Sequence, residues 1–190
     1  PALLEKKTSM PVHKVVNDME VRPDEIYVIP PNTYMSIVDS MLKLIPRTEA
    51  GGNYHTIDHF FTTLAPVYKY KAIGIILSGT ATDGTLGIKA IKSEGGITFV
   101  QDETAKYQGM PRNAEESGAV DFVLSPEKIA RKLTEISKHP YGVTAPDKPL
   151  YKDEDTIRRI IVMLYTRYGV DFSLYKKSTI HRRIIRRMML

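Results

Sequence analysis

The stretch ILSGTATDGTLGIKAI, residues 76–91, decides the fold of this 190-residue chain. An apolar, β-branched segment passes through a loop of small residues into apolar positions at helical spacing, which predicts a strand, a loop and a helix. Strand-like and helix-like segments keep alternating up to residue 138, which predicts parallel βαβ units in a doubly wound sheet. Loops at the carboxyl ends of parallel strands are where such sheets bind ligands, so Asp83, the one carboxylate in this loop, is the first candidate functional residue.

Local sequence leaves two interpretations of Asp83 open. Gly79 and Gly84 let the loop turn sharply and approach a partner, which favours a functional site. An aspartate here is equally suited to capping the helix that begins near Thr85. The glycine spacing fits neither a dinucleotide fingerprint nor a P-loop, and a lone carboxylate makes a poor metal site. We therefore predict no cofactor and no metal.

Other catalytic chemistries find little support in the chain. It has no cysteine, which excludes disulfides, thiolate nucleophiles and Cys-ligated zinc, and no G-x-S-x-G elbow for a nucleophilic serine. Its histidines lie in polar or linker sequence, and each is expected to be exposed or hydrogen-bonded rather than catalytic: His13, His55, His59, His139 and His181.

The segments before residue 75 predict β-structure and one helix. Strands are expected within 12–21 and 26–29, and a hairpin is expected to turn at Asp39-Ser40. The following helix begins near residue 56, with Thr56 or Asp58 as its cap. The apolar run at 72–77 predicts a strand buried on both faces. The expected fold class is thus α/β, a partial doubly wound parallel sheet with a β-hairpin, followed by a small all-α segment.

The predicted domains are 1–138, a linker at 139–152 and a helical segment at 153–190. The linker has three prolines and no hydrophobic periodicity. The last part predicts two amphipathic helices, the first ended by Gly169 and the second spanning about 177–190. Two helices cannot close a core, and the chain opens on Pro1 without a methionine, so we expect it to be a piece of something longer.

Basic charge is concentrated at the end of the chain. Residues 151–190 hold ten Lys/Arg against four Asp/Glu, whereas the rest is nearly neutral. A charge run is ordinarily a solvated helix face; the sharper interpretation is an anionic partner. No nucleic-acid motif accompanies the basic residues, so we favour an acidic protein partner and predict no nucleic-acid binding. The sequence lacks an apolar run of membrane-spanning length and a signal peptide, which predicts a cytoplasmic protein without direct membrane insertion.

Three stretches carry a resemblance to a known family. LSGTATDGTLGIKAIKSEGG, QDETAKYQGMPRNA and SGAVDFVL resemble the end of the chemotaxis-receptor protein-glutamate methylesterase (CheB) domain, and the likeness covers 1–138. RRIIVMLYTRYGVDFSLYKKSTIHRRIIRRMML is similar to the opening of the small helical domain of the receptor methyltransferase (CheR). The resemblance implies the middle of a fusion of the two enzymes.

The CheB family implies a Ser-His-Asp esterase that hydrolyses methyl esters of receptor glutamates and deamidates certain receptor glutamines. Asp83 matches its triad aspartate, whereas the family's serine and histidine precede the segment present here, which implies that this chain is inert alone. Thr80 stands where simpler members carry Met, and residues 109–111, GMP, match a family loop to which we assign no chemical role. Loss of the first strands is expected to expose the sheet near 73–77 and to favour self-association.

The CheR resemblance implies a receptor as partner. Four arginines approximately match the basic helix that faces the receptor's acidic methylation helices: Arg182, Arg183, Arg186 and Arg187. The methyltransferase's S-adenosylmethionine pocket has no counterpart in these residues, so no cofactor is implied. The alternative function is a non-catalytic adaptor that binds a chemoreceptor or another signalling partner.

Overall fold

The computed structural model describes residues 1–47, 55–138 and 154–190, which fall into two compact units, 1–126 and 127–190. The strands are β1 (Val12–Lys14), β2 (Met19–Glu20), β3 (Ile26–Val28), β4 (Thr33–Val38), β5 (Met41–Pro46), β6 (Ile73–Ile76), β7 (Ile97–Gln101) and β8 (Phe122–Leu124). The helices are α1 (Ala2–Glu5), α2 (Thr56–Tyr68), α3 (Thr85–Ser93), α4 (Gly109–Glu116), α5 (Pro126–Lys138), α6 (Glu154–Tyr168) and α7 (Lys177–Met189), with a short 3-10 helix at Lys69–Lys71. The predicted linker at 139–152 lies outside the described residues.

The parallel sheet has the order β6-β7-β8, with α3 and α4 in the connections, which confirms the predicted α/β class. β7 is buried along almost its whole length, as expected of a strand covered on both faces. β6 lies at the edge of this sheet and alternates, with Gly74 and Ile76 buried but Ile73 and Ile75 half-buried. The expectation that this strand is buried on both faces was wrong, because the face carrying Ile73 and Ile75 is incompletely covered.

The first third forms small sheets, as the sequence predicts. β1 and β3 pair in parallel, and β2, β5 and β4 form an antiparallel sheet around the expected hairpin. Asp39 and Ser40 adopt φ of 47° and 64°, so both central turn residues are left-handed, as the two-residue hairpin turn matching strand twist requires.

The core of the first unit forms where α2 and α3 cover the sheet. Ile76, Ile88 and Val100 are buried together, and Ile57 and Phe61 of α2 pack against this cluster. The two helices cross closely at Gly87, where an added Cβ would lie 2.5 Å from the Cβ of Phe61. This close crossing places the beginning of α2 beside the loop that joins β6 to α3.

The second unit leaves much apolar surface exposed. Met163, Tyr168 and Leu174 are exposed, Leu174 by 93%. A cavity of about 610 Å³ is lined by both apolar residues, among them Ile157, Ile161 and Ile180, and charged residues, among them Asp155 and Arg158. No helix in the described ranges combines the length and the apolar character needed to span a bilayer.

Candidate functional site

The Asp83 carboxylate reaches across the loop to the beginning of α2. Its Oδ2 accepts a hydrogen bond from the Ile57 N–H at 3.0 Å and its Oδ1 one from the Asp58 N–H at 2.9 Å, and the Thr56 hydroxyl lies 3.4 Å from Oδ2. Asp83 therefore caps α2, a helix that begins 27 residues earlier in the chain.

Neither helix is capped as the sequence suggested. Capping of the helix near Thr85 was one of the two open interpretations of Asp83, and the N-cap residue of that helix makes no side-chain cap. The prediction that α2 carries its own cap at Thr56 or Asp58 was wrong. His55 occupies the N-cap position of α2 and makes no capping hydrogen bond. Orphan N–H groups at a helix start can donate to any acceptor that tertiary packing brings near, so the cap need not come from adjacent sequence.

Asp58 makes the reciprocal contact, from α2 to the beginning of α3. Its side chain is buried, 6% exposed, and its Oδ1 accepts a hydrogen bond from the Gly87 N–H in the first turn of α3 at 2.7 Å. The N-cap of α3 is Gly84, which has a φ of 94° and no side chain to offer. The loop before α3 thus caps α2, while α2 caps α3. Each carboxylate lies at the positive end of a helix dipole.

His55 places an imidazole beside both carboxylates. Its Nδ1 lies 3.4 Å from Asp58 Oδ2 and 3.9 Å from Asp83 Oδ1, and the side chain is 47% exposed. His55 and Asp58 are close together in the sequence, but no sequence signal indicates that Asp83 lies beside them. When protonated, this imidazole would neutralise part of the carboxylate charge.

Candidate ligand atoms of His55, Asp58 and Asp83 all lie within 4.8 Å of one another, a spacing that a divalent cation could bridge. The carboxylates, however, already accept backbone N–H groups, and two helix N-termini direct positive potential at the same point. The donor set therefore favours hydrogen bonding to an imidazole over binding of a metal ion. A cavity of about 420 Å³, lined in part by His55, Asp58 and His59, opens on this cluster.

The Asp83 loop is braced by the segment before and within α4. The Gly79 N–H donates to the Tyr107 carbonyl at 2.9 Å, and the Met110 N–H donates to the Gly79 carbonyl at 3.0 Å. The Ser78 hydroxyl accepts from the Tyr107 N–H at 2.9 Å. The GMP segment, given no role from sequence, therefore begins α4 and supports the loop.

The predicted arginines lie on α7 in the second unit. Arg183 and Arg187 are exposed and Arg186 is half-buried, while the side chain of Arg182 lies outside the described part of the structure. These positions suit an exposed basic face, and their role in binding stays a prediction.

Two family models match successive parts of this chain. The CheB methylesterase model matches residues 1–133, and the model of the CheR methyltransferase all-alpha domain matches residues 155–190. The chain belongs to the CheB methylesterase family. The resemblance drawn from the three sequence stretches is thereby confirmed.

Relatives extend the CheB assignment. A putative protein-glutamate methylesterase/protein-glutamine glutaminase of Leptospira interrogans is 36% identical over 139 residues, which cover 72% of this chain and 72% of that protein. The first relative, an uncharacterized 104.1 kDa protein of Rhodobacter capsulatus, is 33% identical over 210 residues. That alignment covers 98% of this chain but only 22% of the relative, so the present chain spans less than a quarter of its length.

A solved structure supports the fold assignment directly. The CheB methylesterase catalytic domain of Thermotoga maritima superposes with a TM-score of 0.64 at 28% identity, covering 71% of this chain and 74% of that domain. The CheB-like region here therefore has the α/β architecture of a methylesterase catalytic domain.

Proposed function

We propose that this CheB-family chain is part of a bifunctional receptor-modifying protein of the cytoplasm. In it, a protein-glutamate methylesterase, which also deamidates receptor glutamines, is joined to a protein-glutamate O-methyltransferase, and the substrate is a chemoreceptor. The observation that carries the proposal is the position of Asp83. Its carboxylate lies after a parallel strand, fixed by two backbone N–H groups of α2, in a chain that matches the CheB family.

Asp83 would serve as the acidic member of a Ser-His-Asp triad. The two N–H donors fix the orientation of the carboxylate, and each oxygen keeps a lone pair for an imidazole N–H. A carboxylate so placed holds the imidazole in the tautomer that accepts the proton of the serine hydroxyl and stabilises the imidazolium that forms. The serine attacks the ester carbonyl, methanol leaves, and water releases the glutamate in the second half-reaction.

The serine and the catalytic histidine would come from residues outside this chain, since the sequence contains no serine elbow. His55 does not replace the missing histidine in this scheme. Its Nδ1 is 3.9 Å from the Asp83 carboxylate, and no nucleophile on an elbow accompanies it. The 190-residue chain alone is accordingly expected to release no methanol from methylated receptor.

The decisive experiment uses the longer natural protein that contains this chain. Methanol release from methyl-labelled receptor is compared between the unsubstituted protein, Asp83→Asn and the control Glu103→Ala, which removes an exposed carboxylate from the loop after β7. Asp83→Asn is expected to lower kcat by about 10⁴-fold, the loss seen when a triad carboxylate becomes an amide. Full activity of Asp83→Asn would refute the triad role.

The adaptor function remains as a second candidate because Arg183 and Arg187 are exposed and no acidic residue follows Asp171. It requires saturable binding of this chain to an acidic receptor helix, with an affinity that falls as salt rises. Replacing Arg183 and Arg187 by alanine is expected to weaken binding. The matched control replaces Lys6 and Lys7, which removes equal charge from the first unit. If replacing Lys6 and Lys7 weakened binding as much as replacing Arg183 and Arg187, the result would count against a docking role for α7.

A further inference from the structure

We propose that Asn113 is a positioning residue for Asp83. Its half-buried side-chain amide donates to the Ala81 carbonyl at 3.1 Å and to the Gly109 carbonyl at 2.7 Å. One amide nitrogen thus ties α4 to the loop two residues before Asp83. In this way Asn113, which touches neither Asp83 nor α2 by hydrogen bonding, governs where the carboxylate points.

The hydrogen bond from Asn113 reaches a strained position in the loop. Ala81 has a φ of 66°, in the left-handed region that residues with a Cβ adopt rarely. The start of α4 approaches it so closely that a Cβ on Gly109 would lie 3.0 Å from the Ala81 nitrogen. Such a conformation persists only where surrounding contacts hold it, and the Asn113 amide supplies one directly.

The path from Ala81 to Asp83 is short and fixed at both ends. Upstream, Gly79 is held by backbone hydrogen bonds to Tyr107 and Met110. Downstream, the Thr82 carbonyl accepts the Thr85 N–H at 3.2 Å as α3 begins. Rotation of the backbone at Ala81 would therefore be transmitted to the Asp83 side chain rather than absorbed by a slack loop.

The chemistry requires an amide at position 113. Both of its partners are carbonyl oxygens, so the side chain must present two N–H donors from one atom. An ionised aspartate has the same shape, offers no donor and repels both carbonyls. Asn113→Asp is thus the sharpest substitution, and Asn113→Ala removes the donors without adding charge.

Amide hydrogen exchange in the 190-residue chain tests the positioning directly. The Ile57 and Asp58 N–H groups report on the Asp83 carboxylate that they bind, and the Ile91 N–H in α3 reports on overall stability. In both Asn113→Asp and Asn113→Ala, the fold-decrease in the exchange protection factors of the Ile57 and Asp58 N–H groups is expected to be about ten times the fold-decrease for the Ile91 N–H. The control Glu115→Gln alters an exposed side chain on α4 and is expected to change neither.

A second substitution separates positioning from general damage. Ala81→Gly removes the penalty of the left-handed conformation, so Asn113→Ala is expected to reduce Ile57 and Asp58 protection less in that background. Equal losses at Ile57, Asp58 and Ile91 in Asn113→Ala, or an unchanged loss after Ala81→Gly, would overturn the proposal.

The catalytic consequence rests on the proposed methylesterase function and is tested in the longer protein. There, Asn113→Ala is expected to lower kcat with little change in KM, and Ala81→Gly is expected to restore part of it. An unchanged kcat would overturn the catalytic part of the proposal. Absence of activity in the unsubstituted protein would instead refute the proposed function, and the exchange result would stand independently.

Discussion

Replacing Asp83 by alanine is expected to destabilise this chain, although the residue is proposed to be catalytic in a longer protein. The substitution removes the acceptor for the Ile57 and Asp58 N–H groups at the start of α2. Within the described residues we find no other side-chain cap for that helix, and its N-cap residue, His55, makes no side-chain capping bond. The two N–H groups are only partly accessible to water, which limits how well solvent can replace the carboxylate.

The magnitude follows from the contacts. Loss of an N-cap costs about 1 to 2 kcal/mol, and leaving part-buried donors without a charged acceptor costs about 1 to 3 kcal/mol. These estimates describe the same two bonds and overlap rather than add. The Asp83 side chain is 15% exposed, so screening by solvent is modest. We expect about 2 kcal/mol for Asp83→Ala and roughly half of that for Asp83→Asn, because an amide keeps one acceptor oxygen.

Urea unfolding followed by circular dichroism measures the effect. With a slope of about 1 to 3 kcal/mol per molar urea, a loss of 2 kcal/mol shifts the midpoint by about 1 M. Glu103→Ala is the matched control and is expected to stay within about 0.5 kcal/mol of the parent chain. A midpoint for Asp83→Ala equal to or above that of the parent would refute the capping argument, and a gain in stability is what a strained, purely functional carboxylate would show.

Three further predictions concern the same unit. Gly87→Ala is expected to lower stability by about 1 to 3 kcal/mol in urea unfolding, because the new Cβ meets Phe61, whereas alanine ordinarily favours a helix interior. Thr98→Val is expected to lower the free energy of unfolding by about 1 to 3 kcal/mol in the same measurement. The fully buried Thr98 hydroxyl donates to the Ala119 carbonyl at 2.7 Å, and that carbonyl would lose this donor. An unchanged urea midpoint would contradict the prediction. Burial, and then the hydrogen bond to Glu25, raise the pKa of Tyr27 above its ordinary value of 10.0. The contribution of Tyr27 to folding stability is therefore complete below pH 10.0 and is lost as the pH rises through the higher pKa that the residue has in the folded chain. Tyr27→Phe should therefore show a smaller fall in thermal stability between about pH 9 and 11 than the parent chain.

Local sequence predicted the elements well because their signals are local. The hairpin turn at Asp39-Ser40 and the end of α6 at Gly169 depend on residues that tolerate left-handed backbone at those positions. The alternation after residue 72 predicted the parallel strand pairs, because each apolar strand and its helix have distinct periods.

The parts that sequence could not supply depend on tertiary packing. An apolar run at 72–77 does not reveal that β6 lies at the edge of its sheet. Nothing near Asp83 in the sequence indicates that its carboxylate serves α2, since the two N–H groups are 25 and 26 residues away. The family, by contrast, was predictable, because its motifs are specific combinations of side chains rather than periodic patterns.

The exchange of caps between Asp58 and Asp83 has a consequence for descent within this family. A lineage that abandoned ester hydrolysis would still be under selection to keep Asp83, because α2 depends on it for folding. Retention of this aspartate among relatives is thus poor proof of retained activity. Whether a CheB homologue is a working esterase is better judged from its serine and histidine.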